Sequence, residues 1–183
     1  PAAQVSVSLV WGTGASDRQT LTIGKLTSAY GRFPLAFKCP VDSDDGQIEI
    51  TATGPGSLRI GAVSLMPADN VNGWRPEVIA VLESLRSGVY RWPGGNFVSA
   101  HDWRDAIGDP DQRPTIWDPV WSAVQSNDVG TDEFLTLCRL TGVEPYITVN
   151  SGLGDARSAA EYVEYANSPA TTPWGAKRAA NGH

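Results

Sequence analysis

Arg91-Trp92-Pro93-Gly94-Gly95-Asn96-Phe97 is the stretch whose reading decides the fold of this chain. Val89 and Tyr90 lead into it as a short apolar run, which predicts a strand over 89–92. Pro93, Gly94 and Gly95 then dictate a tight turn, because proline restricts φ and glycine accepts backbone angles closed to other residues. Asn96 follows the turn. A strand that closes in an arginine, a turn and an asparagine sets polar groups at its C-terminal end. That is the end at which ligands bind in barrels and open α/β sheets.

The flanking sequence repeats one pattern. Upstream, Pro76 suits the first turn of a helix, Val78, Ile79, Leu82 and Leu85 follow at helical spacing, and Gly88 suits its end. Downstream, a loop rich in Asp, Trp and Pro runs to about residue 129, long enough to favour a functional role over a simple connection. A helix is expected from Thr131, with Asp132 and Glu133 at its positive end, Phe134, Leu137 and Cys138 as its apolar stripe, and Gly142 as its stop. Residues 145–149 form a mostly apolar strand, as expected when both faces are buried, and Asn150 stands at its C-terminal end. Ser158-Ala159-Ala160-Glu161 has the form of a capping box opening a third helix, with Tyr162, Val163 and Ala166 on its buried side. Helix, strand, helix, strand, helix implies parallel strands joined by right-handed crossovers, an α/β arrangement.

Residues 1–66 read differently. Val5, Val7 and Leu9 alternate with other residues, Leu21 and Ile23 follow, and Gln47-Ile48-Glu49-Ile50-Thr51 alternates again. Strands are also expected at 35–37 and 58–65. Turn signals at 12–14, 42–46 and 54–56 separate these runs, which suggests a β-sandwich or jelly roll. About 66 residues is thin for a complete sandwich, so further strands are expected upstream of Pro1. The chain lacks an initial Met, which leaves cytoplasmic and secreted locations both open. Asp42, Asp44 and Asp45 lack EF-hand spacing and read as a solvated turn.

The chain has 183 residues with a net charge of −6 and no basic cluster, which argues against nucleic acid and anionic membranes as partners. Two histidines and no C-x-x-C give no metal signature and imply no cofactor. Cys39 and Cys138 lie in different kinds of segment and read as two buried free thiols rather than a disulfide. Tryptophan is the outlier. Of seven, Trp92, Trp103, Trp117 and Trp121 fall within thirty residues. Indole faces interleaved with Asp, Asn and Arg suit a sugar, whose C–H faces stack while its hydroxyls are held.

These residues resemble a known family. The matching stretches are Val63-Ser64-Leu65-Met66-Pro67, Arg91 through Ser99, Trp103-Arg104-Asp105, Gln112-Arg113-Pro114, Gly130-Thr131-Asp132-Glu133-Phe134, Val149-Asn150, Glu164-Tyr165 with Asn167, and Arg178 through His183. In that order and at that spacing they resemble the α-L-arabinofuranosidases of glycoside hydrolase family 51. The resemblance implies a (β/α)8 barrel, of which 67–183 would be the N-terminal part, preceded over 1–66 by part of a carbohydrate-binding-like jelly roll. It implies a retaining exo-glycosidase that removes terminal arabinofuranose from arabinoxylan- or arabinan-type glycans and that commonly forms homo-oligomers. The acid/base and nucleophile glutamates match no Glu of this chain and are expected after His183, which makes the chain a fragment without hydrolase activity of its own. The wall of the site is what carries over. Arg91 would orient the nucleophile and keep it ionised, or else serve a structural ion pair. Asn96 would contact the arabinose hydroxyls, and Trp121 would stack on the leaving sugar. Asn150 either contacts the ligand or serves local hydrogen bonds. Trp103 is expected to pack beneath the loop, and His101, Asp102 and Asp105 to be solvated rim residues. Action on xylosidic or glucan bonds, or a non-catalytic sugar-binding role, are the alternatives.

Overall fold

The computed structural model describes residues 4–24 and 26–183, so Pro1, on which the expectation of upstream strands rests, lies outside the described residues. The chain forms two compact units that meet in sequence at Val63 and Ser64. Each is described by itself.

In the first unit, β1 (Gln4–Val10) lies between β2 (Arg18–Ile23) and β3 (Gln47–Thr53), antiparallel to both. Its central place buries Val5, Val7 and Val10. Ser8 is buried with them, and its hydroxyl lies 2.8 Å from that of Thr20 on β2. The runs 35–37 and 58–65, expected as strands, form none. A strand persists only where a neighbour's backbone groups meet its own, and neither run pairs with the outer edge of β2 or of β3. Beside β2, Lys38 N–H donates to the Gln19 side chain instead of to a backbone carbonyl. Ile60 and Val63 stay largely exposed. Cys39 is free and exposed, not buried as its surroundings in sequence suggest, and its thiol donates to the Val41 carbonyl.

The second unit begins with α1 (Pro76–Ser84), which has proline in its first turn and buries Ile79. Then come β4 (Val89–Trp92), α2 (Phe97–Ala100) and single 3-10 turns at Trp103–Ala106 and Pro110–Gln112. The antiparallel hairpin of β5 (Ile116–Asp118) and β6 (Ala123–Gln125) follows. The chain continues through α3 (Thr131–Thr141), β7 (Glu144–Ile147), α4 (Ala156–Asn167) and α5 (Pro173–Ala180). β4 and β7 pair in parallel, Arg91 opposite Tyr146 and Trp92 opposite Ile147, with α3 as the crossover. This is the α/β unit implied by the alternation of elements. Tyr90, Trp92 and Ile147 pack on Phe134, Cys138 and Val143, and Trp92 stacks on Phe134 at 5.9 Å. On the other face Val89 and Tyr146 are 55% and 60% exposed, and Arg91 is exposed with them.

A second cluster joins Trp103, Ile107, Tyr162 and Tyr165, with Trp174 against its edge. Trp103 is packed beneath the loop as expected. It lies flat on Tyr162 at 4.7 Å, and its indole N–H donates to the Ser158 carbonyl. The loop it supports is more ordered than expected, since α2, two 3-10 turns and the hairpin fall within 93–129. Helix α4 opens one turn earlier than Ser158-Ala159-Ala160-Glu161 implies. Asp155 caps it by accepting from Ser158 N–H at 2.7 Å, as good an N-cap as serine.

Residues 130–134 show how closely this unit is specified. A Cβ on Gly130 would lie 1.7 Å from the Ala106 carbonyl oxygen, so only glycine fits. Thr131 Oγ1 bonds the Tyr162 hydroxyl at 2.7 Å, and Asp132 accepts from the Tyr165 hydroxyl at 2.8 Å. Glu133 accepts from Gly130 N–H and from both terminal nitrogens of Arg113, at 2.8 and 3.0 Å. The Arg113 side chain is 2% exposed and also donates to the carbonyls of Gly108 and Asn127. Removing one partner strands a buried charge. Arg113→Ala is expected to cost about 3–5 kcal/mol, read as a lowered urea midpoint in tryptophan fluorescence.

Candidate functional site

The two parallel strands carry their C-terminal ends to one place, where Thr148 N–H donates to the Trp92 carbonyl and extends the ladder by one bond. From there β4 passes through a cis Trp92–Pro93 bond into the turn. Gly95 takes φ +59°, which explains a glycine there, and Asn96 sits exposed at the start of α2. The Arg91 guanidinium folds alongside the turn, 3.3 Å from where a Gly94 Cβ would stand. Among the described residues no carboxylate forms an ion pair with it.

Asn150 takes the second of its two expected roles. Its amide donates to the carbonyls of Ser99 and His101, at 3.1 and 3.3 Å. Its oxygen accepts from the N–H groups of Gly152, Leu153 and Gly154. The residue therefore ties the loop after β7 to the end of α2. Trp121 stands apart at the tip of the β5–β6 hairpin, 63% exposed, with its backbone N–H held by Asp118 Oδ1. Arg91 and Asn96 thus flank one turn, Asn150 is bonded to the end of α2 that follows it, and Trp121 is presented from a separate element.

His101, expected as a solvated rim residue, is instead 2% exposed. Its ring stacks on Phe97 at 4.9 Å and meets the edge of Trp92 at 5.1 Å. The spacing of Phe97 and His101, four residues apart, is the signal in the sequence that could have placed it. Its Nδ1 lies 3.1 Å from Gln125 Nε2, which also donates to Asn127 Oδ1 at 2.7 Å. Asn127 Nδ2 in turn donates to the Pro114 carbonyl at 2.8 Å. The Gln125 amide nitrogen is therefore the donor to His101, so Nδ1 accepts and Nε2 carries the proton. Burial lowers the imidazole pKa from 6.5 to about 4, against an opposing pull from Asp102.

Between the hairpin and the start of α4 lies a groove of about 820 Å³, bordered by Trp117, Pro119, Asn150, Leu153, Asp155 and Trp174. Glu161 in its wall is held below the usual carboxylate range by hydrogen bonds from Arg104 and Arg157. Glu133 is committed to Arg113. Neither glutamate has the freedom a catalytic acid or nucleophile needs.

The model of the alpha-L-arabinofuranosidase 1 domain matches residues 81–183. A probable alpha-L-arabinofuranosidase C of Aspergillus clavatus is 40% identical over 116 residues, which make up 63% of this chain and 23% of that protein. The chain thus spans under a quarter of that relative's length. The crystal structure of an α-L-arabinofuranosidase from Thermotoga maritima in complex with arabinose is 40% identical, with a TM-score of 0.61 over 64% of this chain and 24% of its own. The arabinose-bound MgGH51 α-L-arabinofuranosidase covers 100% of this chain and 34% of its own at 20% identity and a TM-score of 0.72, a likeness of fold alone.

The buried neutral histidine gives stability a pH dependence. Between about pH 6.5 and 4 the unfolded imidazole binds a proton that the folded one refuses, so stability falls as pH falls, by about 3 kcal/mol over the window. His101→Asn keeps an acceptor for Gln125 and does not titrate. Urea midpoints measured from pH 7 to 4.5 are expected to fall more steeply in the wild type than in the variant.

Proposed function

This chain belongs to the α-L-arabinofuranosidase domain family, that of glycoside hydrolase family 51, and from that premise we propose that the intact protein removes terminal α-L-arabinofuranosyl residues from arabinoxylan- or arabinan-type glycans with retention of configuration. The observation that carries the proposal is the match of the alpha-L-arabinofuranosidase 1 domain to residues 81–183, which hold Arg91, Asn96 and Asn150, beside a 40% identity to an arabinofuranosidase solved with arabinose. In this reading residues 67–183 are part of a (β/α)8 barrel in which β4 and β7 are neighbouring strands, and residues 1–66 are part of a jelly roll. The bare face of the strand pair supports it, because parallel strands are covered on both faces, and here α3 covers only one. The uncovered face, with Val89, Arg91 and Tyr146, would look into the barrel.

The chemistry follows from that placement. A retaining hydrolysis uses two carboxyl groups ~5–5.5 Å apart, one protonating the leaving oxygen and the other attacking the anomeric carbon. On this reading both glutamates would lie in sequence beyond His183. Arg91 projects from the strand end on the inward face, where its guanidinium would hold the nucleophile ionised and oriented. Asn96 offers a donor and an acceptor to the sugar hydroxyls. Trp121, exposed on its hairpin, would stack on the leaving sugar. Asn150, with its amide already spent, would act by holding the loop in place.

The test is release of p-nitrophenol from p-nitrophenyl α-L-arabinofuranoside by the intact protein, with proton NMR of the first anomer formed. Retention is expected, and inversion or no release would contradict the proposal. Arg91→Ala is expected to lower kcat/KM by about 100-fold or more, the scale of losing a preorganised electrostatic partner.

A further inference from the structure

We propose that the groove beside the β5–β6 hairpin is a second carbohydrate site, which holds the neutral sugar chain of the glycan whose terminal arabinose enters the first. The inference rests on the arabinofuranosidase reading and extends it to a surface that Arg91, Asn96 and Trp121 do not line. Trp117 is its platform. This indole is 61% exposed on β5, and Pro119 and Leu153, itself 80% exposed, continue the apolar lining. A volume of about 820 Å³ suits several sugar units and lies within the ~300–1,000 Å³ of small-ligand sites.

The charges select the ligand class. Arg104 and Arg157 meet Asp102, Asp155 and Glu161 along the groove. Arg104 bonds Asp102 at 3.2 Å and Glu161 at 2.6 Å, and Arg157 bonds Glu161 at 2.8 Å. Asp155 is held by the end of α4. Two guanidiniums thus meet three carboxylates within the wall, which leaves a lining dense in donors and acceptors with a small net negative charge and no strong field of either sign. Such a surface suits a neutral polyhydroxylated chain better than a phosphate or a charged peptide. The groove also adjoins residues that support the first site. Asn150 and His101 border it, and the same Asn150 amide ties the end of α2 to the loop after β7.

Trp117→Ala and Leu153→Asp both change exposed side chains, so the fold should survive, checked by unchanged near-ultraviolet circular dichroism. The intact protein and the two variants are compared on p-nitrophenyl α-L-arabinofuranoside and on arabinoxylan, and by their retardation in gels cast with arabinoxylan. The expected result is a KM for arabinoxylan raised about fivefold, the scale of a lost aromatic contact, with loss of retardation. Turnover of the aryl glycoside should stay within about twofold of wild type. Unchanged arabinoxylan kinetics and retardation in both variants would overturn the proposal, as would equal losses on both substrates. Should the wild type hydrolyse neither substrate yet be retarded through Trp117, the groove stands and the arabinofuranosidase reading falls. Absence of both hydrolysis and retardation removes both.

Discussion

The Arg113–Glu133 pair is the contact on which the second unit depends. A buried guanidinium is costly unless its N–H groups all find acceptors. Arg113 meets that demand by drawing together the carbonyl of Gly108, the carbonyl of Asn127 and both oxygens of Glu133. These groups lie between the 3-10 turns, after the hairpin and in the first turn of α3. Glu133 also accepts from Gly130 N–H, so the same carboxylate closes the helix end. A long excursion from the sheet is thereby returned to it in one conformation. Asn127 passes the restraint to Gln125 and on to His101, which is wedged against Trp92 and Phe97. The turn that carries Arg91 and Asn96 is therefore fixed from beneath by a chain of committed polar groups.

This arrangement separates two kinds of residue. Arg113, Asn127, Thr131 and Asp132 are buried with their hydrogen bonds made inside the protein. Arg91, Asn96, Trp117 and Trp121 are exposed. Asn150, half-buried in the loop after β7, resembles the first kind in having its side-chain hydrogen bonds made inside the protein. On the proposed reading the first group holds the wall of a sugar site and the second group meets the sugar.

The legible part of this fold was the part set by local rules. Pro76 opened α1, Gly142 closed α3, and β4 lies over 89–92 as expected, because each signal acts within a few residues of itself. β7 ended earlier than expected, at Ile147, because its ladder with β4 stops one bond past Trp92. What failed was whatever depended on a distant partner. The apolar residues at 35–37 and 58–65 look like strands, yet they pair with neither outer edge of the sheet. His101 looked like a rim residue because, beyond its four-residue spacing from Phe97, nothing beside it in sequence shows that Trp92 and Gln125 converge on it. The hairpin was missed because its strands have three residues each, too short for alternation to show. At the candidate site, the turn between Arg91 and Asn96 was legible from Pro93, Gly94 and Gly95. The role of Asn150 was not, since it depends on carbonyls roughly fifty residues away in sequence.

The measurement that bears most directly on this account is a crystal structure of the intact protein with arabinose bound. The account expects the sugar at the C-terminal ends of β4 and β7, with the Arg91 guanidinium beside a carboxylate. The Asn96 amide should lie about 3 Å from a sugar hydroxyl, and Asn150 should keep its bonds to Ser99 and His101. Arabinose bound elsewhere, with Arg91 and Asn96 facing solvent, would contradict it.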